Sequence, residues 1–234
     1  SLFLIMKKRR NNEILVGITG KNVSELKNKI LEADKFKIRK VALFLEILNE
    51  TEKLEVYELL LSSNIKKIPL VHIRNDMKKE ELEFLSKNFK TKCFTIHENS
   101  FKYLSKWDGF HGMLFLEMNY DNHLVGIANV KKIGGFCIDL SHFKSSEARW
   151  TKDFEYIFYR NHVRKYFVCN HLNGYSLLRK RDLHTIRSLK DFNYLKTLPK
   201  FIFGKYIAIE TFNSISEQIK FKKYIIKLLI AKDV

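Results

Sequence analysis

A chain of 234 residues, 45% of them hydrophobic, can fill a sizeable core, as one α/β barrel or as two small domains. Two prolines and no glycine- or serine-rich stretch argue against a flexible linker, so one domain is expected. The excess of 43 Lys and Arg over 26 Asp and Glu, a net charge of +17, favours polyanionic partners, although lysines on solvated helix faces give the same count.

Residues 1–12 read as an N-terminal extension, with apolar residues ahead of KKRR, the reverse of a signal peptide; part of it is expected to be a cloning remnant, since Ser1 is not an initiator. The folded domain is expected over 13–234. Glu13 to Ile18 (EILVGI) is a first strand, and a helix follows from Asn22 with Val23, Leu26, Ile30 and Leu31 on one face. Lys40 to Glu46 is the second strand and Leu54 to Leu61 its helix. Lys67 to Ile73 is the third, with Pro69 tolerated near its start, followed by a helix over Lys78 to Lys87 with Leu82 and Leu85 inward. Cys93 to His97 is the fourth strand, leading through Glu98, Asn99 and Ser100 to a short helix with Phe101, Leu104 and Trp107. Met113 to Glu117 is the fifth, and a helix through Leu124, Ile127, Ala128 and Lys131 is weakened by Gly126.

The stretch Gly134 to Phe143 (GGFCIDLSHF) holds the sixth strand and ends on Asp139 and His142. An amphipathic helix over Ser146 to Asn161 follows, with Trp150, Phe154, Ile157 and Phe158 on one side. Tyr166 to Leu172 is the seventh strand, and the connection from Asn173 to Lys205 carries a helix near Ser188 to Leu198. Tyr206 to Glu210 is the eighth strand. The last helix starts with a capping box of Ser214 and Glu217 and buries Ile219, Tyr224, Ile225, Leu228 and Leu229.

Strands without polar alternation, alternating with helices, predict a single (β/α)8 barrel, with a doubly wound open sheet as the runner-up. No GxGxxG follows the first strand, which weighs against the open sheet. Cys93, Cys137 and Cys169 each lie in an apolar run without CxxC spacing and read as buried, reduced thiols of an intracellular protein. No apolar run approaches the roughly 20 residues of a membrane span, so a soluble, cytoplasmic, monomeric protein with no membrane partner is expected.

The ends of the third to eighth strands carry His72, His97, Glu117, Asp139 with His142, His171, and Glu210, all on the barrel face where active sites of this fold lie. Asp182 and His184 in the long connection add a D-x-H pair, while His111, His123 and His162 fall outside the set. One strand-end histidine is usually structural; so many carboxylates and imidazoles in one layer are untenable without cations. Divalent ions resolve the conflict, and a nitrogen and oxygen donor set suits zinc first, with manganese or iron as alternatives.

In this order, strand-end His, His and Glu, then D-x-x-H, His-Leu-Asn, D-x-H and a Glu with Asn three residues on, the chain resembles endonuclease IV of the xylose-isomerase-like barrels, over roughly Leu15 to Leu229. The resemblance implies up to three ions. His72 and His97 would hold the first with Glu117, which bridges to a second on Asp139, His171 and Glu210; His142, Asp182 and His184 would hold the third. It implies hydrolysis of the DNA backbone on the 5′ side of abasic sites and trimming of blocked 3′ ends, with Glu117 and Glu210 central to catalysis. The loops after the first three strands, which enter DNA in the family, are brief here. Lys21, Arg74, Lys78, Lys79, Arg179, Lys180 and Arg181 are candidate phosphate contacts, and Tyr175 or Trp107 candidate stacking residues. Two rivals stand beside this reading: a single-metal sugar or sugar-phosphate isomerase or epimerase on Glu117, Asp139, His171 and Glu210, and a barrel that binds nucleic acid without turnover.

Overall fold

Runs of branched and aromatic residues that lack polar alternation must be covered on both faces, and this chain covers them by closing a sheet into a ring. The structure, a computed structural model, describes residues 12–118 and 128–232. Eight parallel strands form the barrel: β1 (Glu13–Ile18), β2 (Lys40–Phe44), β3 (Lys67–His72), β4 (Cys93–His97), β5 (Leu114–Glu117), β6 (Gly135–Asp139), β7 (Phe167–Leu172) and, after the hairpin of β8 (Gly174–Ser176) and β9 (Arg181–Leu183), β10 (Tyr206–Ile209). Each pairs with its sequence neighbour in the ring, and β10 closes it against β1 through Glu13–Tyr206, Ile14–Ile207 and Leu15–Ala208. Helices α1 (Val23–Lys35), α2 (Glu50–Ser62), α3 (Lys79–Phe89), α4 (Leu140–Arg149), α5 (Lys152–Phe158) and α6 (Ile215–Ala231) follow the strands. The expected (β/α)8 barrel is the fold, and the open sheet is excluded by closure.

Two apolar layers result from the two-residue period of a strand. Outward residues such as Val16, Leu43, Val71 and Ile207 join the helices in the main core, whereas Leu15, Ala42, Phe44, Leu70, Cys93, Phe115, Cys137, Cys169 and Ala208 fill the barrel interior. The three thiols are buried and free, as expected. Closure also needs a side chain. At Gly17 the β1 backbone runs so close to β10 that a Cβ there would lie 1.9 Å from the Ile209 carbonyl oxygen. The wholly buried Gln218 amide of α6 fills the gap: it accepts from Gly17 N at 2.7 Å and donates to Gly17 O at 3.0 Å and Asn213 O at 3.2 Å.

The helical segments depart most from expectation. The helix over 146–161 is two, because Trp150 takes a left-handed conformation (φ 52°) that ends α4, and the Thr151 side chain caps α5 by accepting from Phe154 N. Trp150 is accordingly 65% exposed rather than on a buried face. Leu31, Leu54 and Leu61 are exposed as well, since one flank of each outer helix faces water. Glu98–Trp107 and Leu189–Thr197 are 3₁₀ rather than α-helical. The helix expected through Leu124 and Ile127 falls mostly outside the described residues, as do His123 and residues 1–11 of the extension; Val130–Lys132 is a 3₁₀ turn. The capping box of Ser214 and Glu217 is present at the head of α6, where Ile219 and Tyr224 are half-buried and Ile225, Leu228 and Leu229 fully so. Among the described residues no helix is long and apolar enough to cross a membrane.

Replacing Gln218 with leucine leaves the Gly17 amide and carbonyl buried without partners. At about 1–3 kcal/mol for each unsatisfied group, this substitution is expected to lower stability by roughly 2–5 kcal/mol in a urea titration. A change under about 0.5 kcal/mol would mean that the barrel seam closes without it.

Candidate metal centre

Five of the candidate ligands sit two residues beyond an inward-facing residue, so the strand period carries them to the C-terminal mouth. Glu117 follows Phe115, Asp139 follows Cys137, His171 follows Cys169, His72 follows Leu70 and Glu210 follows Ala208. Parallel register then sets neighbours side by side: His97 opposite Glu117 and Asp139 opposite His171. His72, Glu117, Asp139, His171 and Glu210 are buried, and His97 and His142 half-buried.

Glu117 is the hub. Its Oε2 lies 2.8 Å from His171 Nδ1 and 3.5 Å from His72 Nδ1, and His171 Nδ1 is 3.4 Å from Glu210 Oε2. Ligands of a tetrahedral zinc at about 2.0–2.1 Å lie roughly 3.3 Å apart, so these gaps are of the size an ion requires. Three sets of donor atoms lie within 4.8 Å of one another: His72, His97 and Glu117; Glu117, His171 and Glu210; and Glu117, Asp139 and His142. Glu117 belongs to all three, as a bridging carboxylate would. Both ring nitrogens of His72 lack a hydrogen-bond partner although the residue is only 2% exposed, a cost that ligation would remove. The donors are imidazole nitrogens and carboxylate oxygens, which fit a divalent transition ion.

Asp139 has two duties. Its Oδ1 caps α4, accepting from Ser141 N (2.8 Å), Ser141 Oγ (2.7 Å) and His142 N (2.8 Å), while its Oδ2 accepts from Asn173 Nδ2 at 2.9 Å. Asn173 Nδ2 also donates to Glu210 Oε2 at 3.3 Å, and so spaces the two carboxylates.

Asp182 and His184 reach the rim on the β8–β9 hairpin, and His184 Nε2 lies 3.0 Å from Asp182 Oδ2. The His184 ring stacks on Phe212 with centroids 5.4 Å apart, and Phe212 N donates to His184 O at 2.6 Å. Asn213 holds the same segment by accepting from Ile186 N (2.8 Å) and donating to Ile186 O (3.0 Å) and to Glu217 Oε1 (3.1 Å). Asp182 and His184 thus pair with each other, and His142 is grouped with Glu117 and Asp139.

Glu46, two residues beyond Phe44, is a rim carboxylate that the reading of the third to eighth strand ends passes over. Its Oε2 is enclosed, lacks a hydrogen-bond partner and lies 3.8 Å from His72 Nδ1, while the side chain as a whole is partly exposed. The two-residue spacing from an inward Phe was the signal for it.

Burial and like charge shape the titration of the rim. Burial raises Glu117 to about 7 against the pull of His171, and raises Glu210 to about 8 with Glu117 and Asp139 adding to it. Burial also raises Glu46. It drives His72 well below its ordinary value, with His97 and His171 acting the same way. Burial would lift Asp139 too, but His142, its amide and the Ser141 hydroxyl outweigh it and hold the carboxyl low. Burial opposes protonation of His184, yet Asp182, Glu210 and Asp139 carry it to about 9. Asp182 is lowered by its hydrogen bond from His184.

Several candidate DNA contacts are otherwise engaged. Trp107 is fully buried and its indole donates to Met77 O, and Tyr175 is buried against Tyr194, so neither offers a face for stacking. Arg74 is held by Asp76 at 3.3 Å and donates to Leu48 O at 3.2 Å. Lys78 pairs with Glu50 at 2.9 Å, Lys79 with Glu83 at 4.0 Å, and Lys21 lies over the Phe212 ring at 5.2 Å. Arg179, Lys180 and Arg181 are exposed. Of the remaining histidines, His111 makes a 2.9 Å hydrogen bond with Leu104 O and His162 is exposed.

No protein-family model matches the sequence, and no curated protein matches it. Solved structures do. One described as "The crystal structure of AsfvAP:AG" aligns over 95% of this chain and 99% of its own, with 13% identity and a TM-score of 0.52. A D-tagatose 3-epimerase-like protein aligns over 94% and 98%, with 13% identity and a TM-score of 0.51. At this identity the likeness is one of fold alone, the closed (β/α)8 barrel.

Because Glu210 and His184 hold protons near neutrality, zinc added at about pH 7 is expected to displace them. Calorimetry in two buffers of different ionisation enthalpy reads this directly, and zero proton release would contradict the described rim. The raised value of His184 adds stability that is complete below 6.5, its ordinary value, and lost as pH rises through about 9. The melting point of His184→Asn is therefore expected to fall furthest below that of the parent at about pH 6 and to meet it near pH 10.

Proposed function

We propose that this chain is a metal-dependent phosphodiesterase of the endonuclease IV kind, hydrolysing the DNA backbone on the 5′ side of abasic sites and clearing blocked 3′ ends. The observation that carries this reading is the Asp182–His184 pair carried by a dedicated hairpin close enough to feel the charges of His142, Asp139 and Glu210, a pair that a single ion does not need. Glu117 would be shared by neighbouring ions, one held with His72 and His97 and another with His171 and Glu210. Asn173 fixes the spacing of Asp139 and Glu210. Bound divalent ions supply Lewis acidity for a phosphodiester and activation of water. Zinc is the first choice, with manganese or iron as alternatives. The protein contributes a buried ring of oriented donors whose own negative charge is offset on loading, which leaves the pocket attractive to a phosphate.

A second reading keeps one ion and makes the chain a sugar or sugar-phosphate isomerase or epimerase. It is favoured by Glu117 and Glu210, two buried carboxylates raised to about 7 and about 8, values suited to moving a proton at carbon. The D-tagatose 3-epimerase-like neighbour shares the barrel, as AsfvAP:AG does, so likeness of fold does not separate the two.

The nuclease reading expects about three divalent ions per chain by elemental analysis and nicking of a duplex that carries an abasic analogue. Asp182→Ala should cost more than the roughly 10–100-fold typical of an outer-shell partner. A metal-replete protein that leaves the duplex intact, and exchanges solvent deuterium into a ketose whether or not Asp182 is present, would replace it with the isomerase.

A further inference from the structure

The buried face of α1 is Leu26, Lys29, Ile30 and Ala33, the spacing of an amphipathic helix, and a lysine stands in it where an apolar residue would serve. Lys29 is only 5% exposed. Its Nζ donates to Thr211 O at 2.6 Å, and among the described residues no carboxylate forms an ion pair with it. Burying an amine in this way is costly, and lysines so placed are the ones that act as nucleophiles or bases. Nor does Lys29 end in a sealed core. It lines a cavity of about 380 Å³ between α1 and the turn from β10 into α6, which opens to water beside the exposed Lys21 and Asn28. Phe212, stacked on His184 through its ring, gives this cavity an apolar wall, and Ser214 adds a hydroxyl. The carboxylates that face the amine are Glu25 and Glu32 of α1 and Glu217 of α6, and each is engaged elsewhere. Glu32 accepts from Ile215 N (2.8 Å) and Ser216 N (2.9 Å), Glu217 from Ser214 Oγ (2.9 Å), and Glu25 from Lys21 N (2.9 Å). Burial outweighs their pull and lowers Lys29 to about 8.

We propose that Lys29 is a reactive amine and that its cavity is a site for a small hydroxyaldehyde, held there as an imine. The free amine adds to the aldehyde carbon to form a carbinolamine, and a C=N bond then replaces the C=O. Two of the three hydrogens of the ammonium leave with the carbonyl oxygen as water, and the one that remains on the protonated imine keeps the bond to Thr211 O. No oxidant or reductant is consumed. The volume lies near the lower end of the roughly 300–1,000 Å³ typical of small-molecule sites, which suits a chain of a few carbons. Phe212 covers the carbon skeleton, while the Asn28 amide and the Ser214 hydroxyl meet the hydroxyl groups. An acidic ligand fits less well, because Glu25 and Glu32 share the lining. Neither metal ions nor the Asp182–His184 pair takes part, so the site stands whichever reaction the rim performs.

The test treats the full chain with glyceraldehyde and cyanoborohydride, which reduces an imine to a stable secondary amine, and locates the adducts by peptide mass spectrometry. At about pH 7, Lys29 is expected to be labelled about tenfold faster than Lys35 and Lys37, which are exposed at the end of the same helix. Its rate should saturate in the millimolar range of glyceraldehyde, as binding before reaction requires. The excess over the exposed lysines should shrink as pH rises past about 8 toward 10.5, where an ordinary amine is free as well. Asn28→Phe places a ring at the exposed mouth of the cavity and should remove the preference for Lys29 while leaving the unfolding midpoint unchanged. The site is overturned if Lys29 is labelled no faster than Lys35, or if its rate stays proportional to glyceraldehyde concentration. It is also overturned if a folded Asn28→Phe variant labels Lys29 as the parent does.

Discussion

Parallel register is the constraint on which the rest depends. Once β4 pairs with β5 so that His97 faces Glu117, and β6 with β7 so that Asp139 faces His171, the chain has placed unlike donors in one ring about a common axis. A slip of one residue would turn each of them out of the barrel and bring an apolar residue to the mouth. The same register builds the floor. Phe44 lies with its ring centroid 4.9 Å from that of His171 and 6.2 Å from that of His72, so the donors rest on an apolar layer instead of water. Close carboxylates and imidazoles without solvent make an electrostatically costly arrangement, one that a bound cation would relieve.

Much of this was legible in the sequence, and the reason is the strand period. Runs such as KVALF and GFCID announce burial on both faces, and a polar residue at the end of each run falls at the mouth because strands have two sides. Legibility failed where tertiary context decides. Trp150 belongs to a helical pattern through Phe154 and Ile157, yet a left-handed residue there ends α4, since the chain must turn before α5. Leu31 and Leu54 read as core because periodicity gives the direction of a face but not its width. The hairpin of β8 and β9 has strands of only three residues and carries no such signal. Asp182 and His184 were nameable from motif order, but their approach to the rim was not, because it depends on Phe212 and Asn213 from a distant part of the chain.

Glu46 adds a carboxylate to a rim that already holds Glu117, Asp139, Asp182 and Glu210. A fully ionised set would repel both a phosphate and its own members. Burial raises both Glu117 and Glu210, and a proton held on either carboxyl would lessen that repulsion. Phosphodiester hydrolysis and sugar isomerisation can share such a ring, since both need oriented Lewis acids in a dry pocket. The element that separates them is the loop that joins the rim, not the rim itself.

Asn213 has a mechanical meaning beyond its hydrogen bonds. By clasping both backbone groups of Ile186 and touching Glu217, it closes the excursion that leaves the barrel after β7 and returns at β10. The loop-closure entropy of that excursion is therefore lost during folding, not at the moment an ion or a substrate arrives. The connection is thereby tied to the first turn of α6. Asn213 O also accepts from Gln218 Nε2, so one residue ties the end of the excursion to the seam that closes the ring, and the long connection and the barrel are fastened at a single point.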